Sequence, residues 1–141
     1  MLVQPYLFFD GRCEEAVQFY RDAIGARLDA LMRYRDSPEP LPPGMVPPGF
    51  EDRIMHASLR IGDSVLMASD DCSPAPRPIQ GVSLSLSVSS EPEADRIFTA
   101  LAGGGQVTMP LAKTFWSPRF GMLTDRFGVG WMVNVVPPEG G

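Results

Sequence analysis

The chain has little from which to build a metal site or a redox pair. It contains one histidine, His56, and two cysteines, Cys13 and Cys72, which lie far apart and match no Cys-x-x-Cys or zinc spacing. It has no run of like charges, and no apolar stretch approaches the length that spans a bilayer. A net charge of −5 and a pI near 4.7 disfavour nucleic acid and anionic membrane as partners. Met1-Leu2-Val3-Gln4-Pro5 has neither a basic start nor a signal-type apolar segment, so the cytoplasm is the expected compartment. There both thiols should be reduced. Cys13 falls at the start of a helix, where the dipole favours a thiolate, yet a lone thiol is more often incidental than catalytic.

What the chain does contain is one module twice. Glu15 to Gly25 can be laid over Glu93 to Gly103 at an offset of 78, with Ala16 on Ala94, Phe19 on Ile97, Tyr20 on Phe98 and Ala23 on Leu101. Both segments read as amphipathic helices closed by glycine. Further on, Ile61-Gly62 falls on Phe127-Gly128 at an offset of 66, so the first copy carries 12 extra residues. The segment that looks inserted is proline-rich, 37–50. With 44% apolar and 21% charged residues, the 141-residue chain has the balance of one globular domain. Its parts are module one over 1–71, a linker over 72–80 and module two over 81–137.

The pattern predicts strands over Leu2–Phe9 and Ala26–Tyr34, with a helix over Cys13–Ile24 whose buried face holds Ala16, Phe19, Tyr20, Ala23 and Ile24. Six prolines between Arg35 and Arg53 (Pro38, Pro40, Pro42, Pro43, Pro47 and Pro48) make that stretch a loop. Ile54–Ile61 alternates, with Met55, Ala57, Leu59 and Ile61 opposed to His56, Ser58 and Arg60. Gly62-Asp63 turns it into a strand over Ser64–Ser69. In the second copy Val82, Leu84, Leu86 and Val88 oppose Ser83, Ser85 and Ser87. Ser90 is the predicted N-cap of the second helix, and Gly103-Gly104-Gly105 ends it. Strands over Gln106–Lys113, Phe120–Thr124 and Gly130–Val135 complete a second β-α-β-β-β unit. Each helix should cover the apolar side of its own sheet. The opposite faces would then line a groove with His56, Ser58, Arg60, Ser83, Ser85 and Asn134.

This paired βαβββ plan, an α+β fold, resembles the vicinal-oxygen-chelate superfamily of glyoxalases, bleomycin resistance proteins and extradiol dioxygenases. Within it the chain is similar to the PhnB-like branch, often labelled a 3-demethylubiquinone-9 3-methyltransferase domain. The resemblance rests on Pro5-Tyr6-Leu7-Phe8-Phe9, Cys13-Glu14-Glu15-Ala16, Met55-His56-Ala57, Met67-Ala68-Ser69-Asp70-Asp71, Thr114-Phe115-Trp116, Phe120-Gly121 and Thr124 to Met132. It implies a sheet curved around a central groove. A homodimer is expected separately, because Phe115, Trp116, Phe120, Met45 and Phe50 would otherwise form a large exposed apolar patch. Metal-dependent members take His, Gln or Glu ligands from the first and last strand of each module. Those positions here carry Pro5 or Gln4, Leu66 or Met67, Ser83 and Met132, a poor donor set for a divalent cation. No metal and no cofactor are therefore expected. The methyltransferase label also lacks support, because the triple glycine ends a helix where a nucleotide-type cofactor needs one to open.

The resemblance and the strand parity together imply a small-molecule pocket of Tyr6, His56, Ser58, Arg60, Ser83, Ser85, Phe115, Trp116, Phe120 and Asn134. His56 is the candidate catalytic group, since imidazole titrates near neutrality. The competing reading makes it a structural histidine bonded to a neighbour such as Ser83 or Asp70. Phe115, Trp116 and Phe120, next to Arg119, read either as a wall for a planar ligand or as a plug or protomer contact. Trp131 has core parity, and Asp71 and Asp125 read as turn formers. The 37–50 insertion reads as a lid or as a dimer arm, anchored by Met45 and Phe50. The expected function is metal-independent binding of a small molecule. The alternatives are a metal-dependent lyase, isomerase or dioxygenase, and a bleomycin-resistance-type protein that sequesters a drug.

Overall fold

A computed structural model describes residues 1–73, 75 and 77–136. Pro74 and Pro76 of the expected linker, and Pro137 at the expected end of module two, lie outside the described residues. The chain divides into two units, Met1–Arg77 and Pro78–Gly141. In the first, β1 (Tyr6–Phe9), α1 (Cys13–Ile24), β2 (Arg27–Arg33), β3 (Ile54–Ile61) and β4 (Ser64–Asp70) give a four-stranded sheet in the order β1-β4-β3-β2. In the second, β5 (Ser83–Val88), α2 (Glu91–Ala102), β6 (Gln106–Ala112), β7 (Phe120–Thr124) and β8 (Gly130–Val135) repeat that order as β5-β8-β7-β6. The leading strand pairs parallel with the last strand in both units, and the other pairings are antiparallel. The duplication read from the helices is thus a duplication of topology. No helix among the described residues is long and apolar enough to cross a membrane.

Each helix covers one face of its sheet. Leu7, Phe9, Ala57, Leu59, Leu66 and Ala68 are buried with Cys13, Ala16, Val17, Tyr20 and Ala23 of α1. The helix stripe is therefore rotated from the expected one: Cys13 and Val17 are inside, while Phe19 and Ile24 stay half-exposed. In the second unit Trp131, Val133, Val135 and Leu123 are buried with Ala94, Ile97, Phe98 and Leu101 of α2. A side chain at Gly121 would meet the Phe98 ring, so helix and sheet touch there at backbone distance. Burying each such large apolar side chain stabilises the fold by about 1.5–3 kcal/mol.

The first strand is shorter than expected, beginning at Tyr6, with Met1, Leu2 and Val3 fully exposed. The two helices start differently. Ser90 caps α2 in the local way, accepting from the Glu93 N–H at 3.3 Å. Arg12 offers α1 no side-chain cap, and Asp70 does the work from the end of β4. Its Oδ1 accepts from the Cys13 N–H at 3.0 Å and its Oδ2 from the Ile54 N–H at 2.9 Å. One buried carboxylate thereby fixes both the start of α1 and the start of β3. Asp125 plays a similar part in the β7–β8 turn, accepting from the N–H groups of Phe127 and Val129 and from the Trp131 indole.

Candidate functional site

Residues paired across neighbouring strands point to the same face of a sheet. Met32 pairs with His56, Ala30 with Ser58, and Arg27 with Arg60; across the next ladder Ser58 pairs with Met67 and Arg60 with Val65. Tyr6 pairs with Met67 and Phe8 with Ser69. The helix-free face of the first sheet therefore gathers Tyr6, Phe8, His56, Ser58, Arg60 and Met67. Tyr6, His56, Ser58 and Arg60 were legible from the sequence; Phe8 was missed, although it stands two residues from Tyr6 and shares its face.

His56 lies beside an aromatic pair. The Tyr6 ring is 4.9 Å from Phe8 and 5.9 Å from the His56 ring, and the Tyr6 hydroxyl is 3.4 Å from His56 Nδ1. The expected partner Asp70 is committed elsewhere, to the two backbone N–H groups it caps. At 3.4 Å and exposed, the Tyr6 contact is a weak hydrogen bond that orients the ring without locking it. If the phenol donates, the neutral ring carries its proton on Nε2; if it accepts, Nε2 is the basic nitrogen.

The second unit has its own helix-free face. Ser83 pairs with Gly130, Ser85 with Met132, Ser87 with Asn134, and Phe120 with Asn134. The three serines are exposed, Phe120 is buried, and Asn134 Oδ1 is a buried acceptor with no hydrogen-bond partner among the described residues. Phe115 and Trp116 occupy the β6–β7 loop. That loop is held by the buried Ser117 hydroxyl, which donates to the Val135 carbonyl at 2.8 Å. Phe115 is 97% exposed and sits edge-on to Trp116 at 4.7 Å, and Trp116 sits edge-on to Phe120 at 5.4 Å. Arg119 does not join them: its guanidinium is bound by Asp95 at 2.7 Å and by Glu91 at 3.3 Å, both on α2. Those carboxylates also push its pKa upward, so it stays charged.

Three features singled out in the sequence resolve as structure. The triple glycine forms the turn after α2: Gly104 has φ +77, and a side chain at Gly105 would collide with the Thr124 carbonyl oxygen. Cys13 is fully buried, and burial, reinforced by the Asp70 and Glu14 charges, pushes its thiol up to about 12. This reverses the expectation from the helix dipole, because desolvation outweighs a partial charge at a helix end. Asp71 accepts from the Ser73 N–H at 3.0 Å, the turn role expected of it.

Repeated β-α-β-β-β units in matching strand order, each with one face left free of helix, define one architecture. A family model confirms it from residue 3 to residue 133. The chain belongs to the Glyoxalase/Bleomycin resistance protein/Dioxygenase superfamily. The chain is 37% identical to YjdN of Escherichia coli K12, covering 99% of this chain and 98% of that one. Protein PA1353 of Pseudomonas aeruginosa is 47% identical, with a TM-score of 0.85 and coverage of 98% of this chain and 99% of that one. The PhnB protein of Bacillus cereus, which carries a 3-demethylubiquinone-9 3-methyltransferase label, is 28% identical at a TM-score of 0.80, covering 96% of this chain and all (100%) of that one. The PhnB-like resemblance read from the motifs is thus supported in sequence and in fold.

The superfamily's metal chemistry requires donors that these strands do not offer. On β4 it is Met67 that shares the helix-free face, since Leu66 is buried on the helix side. On the second sheet the corresponding positions are Ser83 and Met132, and neither these nor Met67 supplies a donor that suits a hard or borderline divalent cation. Among the described residues no three His, Cys, Asp or Glu side chains group to hold a metal.

Proposed function

We propose that this superfamily member binds a small organic molecule, without a metal, on the helix-free face of its first sheet. The observation that carries this reading is the cluster of exposed Tyr6 and Phe8 with half-buried His56, and Ser58 and Arg60 following along β3. Aromatic walls beside a few convergent polar groups are what small-molecule sites are made of. His56 is the proton-transfer group in this reading. Ser83, Ser85 and Asn134 are proposed as ligand contacts of the second unit, with the orphaned Asn134 carbonyl awaiting a donor. The cytoplasm is the proposed compartment.

Native mass spectrometry of freshly purified protein should reveal a co-purifying small molecule that His56→Ala and Tyr6→Phe release. Retention of the ligand by both variants would overturn the placement. The variants should fold normally, because an exposed 3.4 Å contact contributes well under about 1 kcal/mol. A loss of several kcal/mol with binding intact would make His56 structural.

The exposed Phe115–Trp116 tip supports a second reading, in which a planar aromatic drug is sequestered against it, with Phe120 behind. We also propose that the chain forms a homodimer. The tip and the exposed Val107 and Met109 on edge strand β6 are apolar surface suited to a partner. Phe50 contributes less than its sequence suggested, since the Arg53 guanidinium covers its ring at 3.6 Å.

A further inference from the structure

The β2–β3 ladder contains an arrangement that folding alone does not favour. Arg27 and Arg60 stand directly opposite one another, and like charges at that position destabilise a sheet. A register shift between Leu28 and Ala30 inserts Asp29, whose carboxylate lies between the two guanidiniums. Its Oδ1 is 3.5 Å from Arg27 Nε and its Oδ2 is 3.3 Å from Arg60 Nε. Two cations thus share one anion, leaving one positive charge unbalanced in this trio. Arg60 Nε is moreover a buried donor with no hydrogen-bond partner among the described residues. The 3.3 Å approach of Asp29 is coulombic and misaligned, so it leaves the N–H unsatisfied. A buried orphan donor costs free energy, and the side chains around it, 41% exposed at Arg60 and 71% at Arg27, present to solvent a positive charge that one carboxylate does not neutralise.

We propose that Arg60, with Arg27, forms the anion-binding end of the helix-free face, and that the ligand is a small organic acid. This rests on the small-molecule reading above and names its chemistry. A guanidinium presents paired donors that match the two oxygens of a carboxylate or phosphonate. Ser58 lies next along β3, and His56, four residues from Arg60, is about 13 Å away along the strand. The acid therefore carries its charge at Arg60 and an apolar body of about 10 Å, directed past Ser58 toward Tyr6 and Phe8. Asp29 is the site's internal counter-ion, which holds the unliganded guanidiniums together and competes with the ligand.

The test uses the intact ¹⁵N-labelled protein with benzoate and its neutral isostere benzamide as probes, followed by NMR. Benzoate should shift the Arg60 Nε–H and Ser58 amide signals, and benzamide should not. Arg60→Gln should weaken benzoate binding at least about tenfold, the loss expected for a charge-assisted hydrogen bond. Arg60→Lys should recover part of it, and Asp29→Asn should tighten binding several-fold by removing the competitor. Preserved amide spectra would show that the variants are folded. Equal binding of benzamide and benzoate on this face would overturn the anion assignment while leaving the small-molecule reading intact. Benzoate shifts confined to other elements, no shift from either probe, or weaker binding in Asp29→Asn would each overturn the assignment as well.

Discussion

Asp70→Ala is the most informative perturbation of the scaffold that carries the candidate site. Its carboxylate, 2% exposed, is bonded to the Cys13 and Ile54 N–H groups, and its backbone carbonyl accepts from the Tyr34 hydroxyl at 2.9 Å. The variant removes only the carboxylate. Two buried backbone donors are then stranded, each at a cost of about 1–3 kcal/mol. Part is returned because a buried charge no longer needs desolvating, so the net loss should be about 2–4 kcal/mol. For a chain of this size that lowers the melting temperature by about 6–15 °C. Ile54 opens the strand bearing His56, Ser58 and Arg60, so benzoate and ligand binding should weaken together. Urea titration followed by circular dichroism measures the stability. Asp71→Ala serves as the control, since among the described residues its carboxylate accepts from the nearby Ser73 N–H alone, in a loop, and its loss should cost under about 1 kcal/mol. A loss below about 0.5 kcal/mol for Asp70→Ala, or equal losses for the two variants, would refute the capping argument.

In the folded protein a disulfide reagent at pH 8 should label Cys72 and spare Cys13, with both reacting in denaturant; rapid native labelling of Cys13 would contradict its burial. Because the Cys13 thiol is raised from 9.0 to about 12, the folded state holds its proton more tightly than the unfolded chain. The associated stability is complete below pH 9.0 and is lost as pH rises toward 12, by at most about 1.4 kcal/mol per pH unit; a flat stability profile above pH 9 would count against it. Adding Zn²⁺, Ni²⁺, Fe²⁺ or Mn²⁺ should not raise the melting temperature, and elemental analysis showing about one tightly held metal per chain would overturn the metal-independent proposal. Light scattering should give a dimer mass that Trp116→Ala reduces; a monomer mass unaffected by the substitution would overturn the homodimer.

Short-range patterns determined most of the architecture. Alternation placed β3, β5 and β8 and gave their faces, because a strand with one side buried has a side-chain period of two. Gly25 and Ser90 marked helix ends through local backbone geometry and capping. The same parity puts His56, Ser58 and Arg60 on one face of β3. What tertiary structure decided depends on residues distant in sequence. Asp70 caps a helix 57 positions away, which no local signal announces. The true stripe of α1 follows its packing on the sheet, and that packing buries Cys13 and reverses its acidity. The bulge at Asp29 sets two arginines against one carboxylate, a consequence of strand register. Tyr6 meets His56 because β1 and β3 flank β4, although 50 positions separate the two residues. Sequence patterns specify which face each residue takes; folding alone specifies which residues on that face become neighbours.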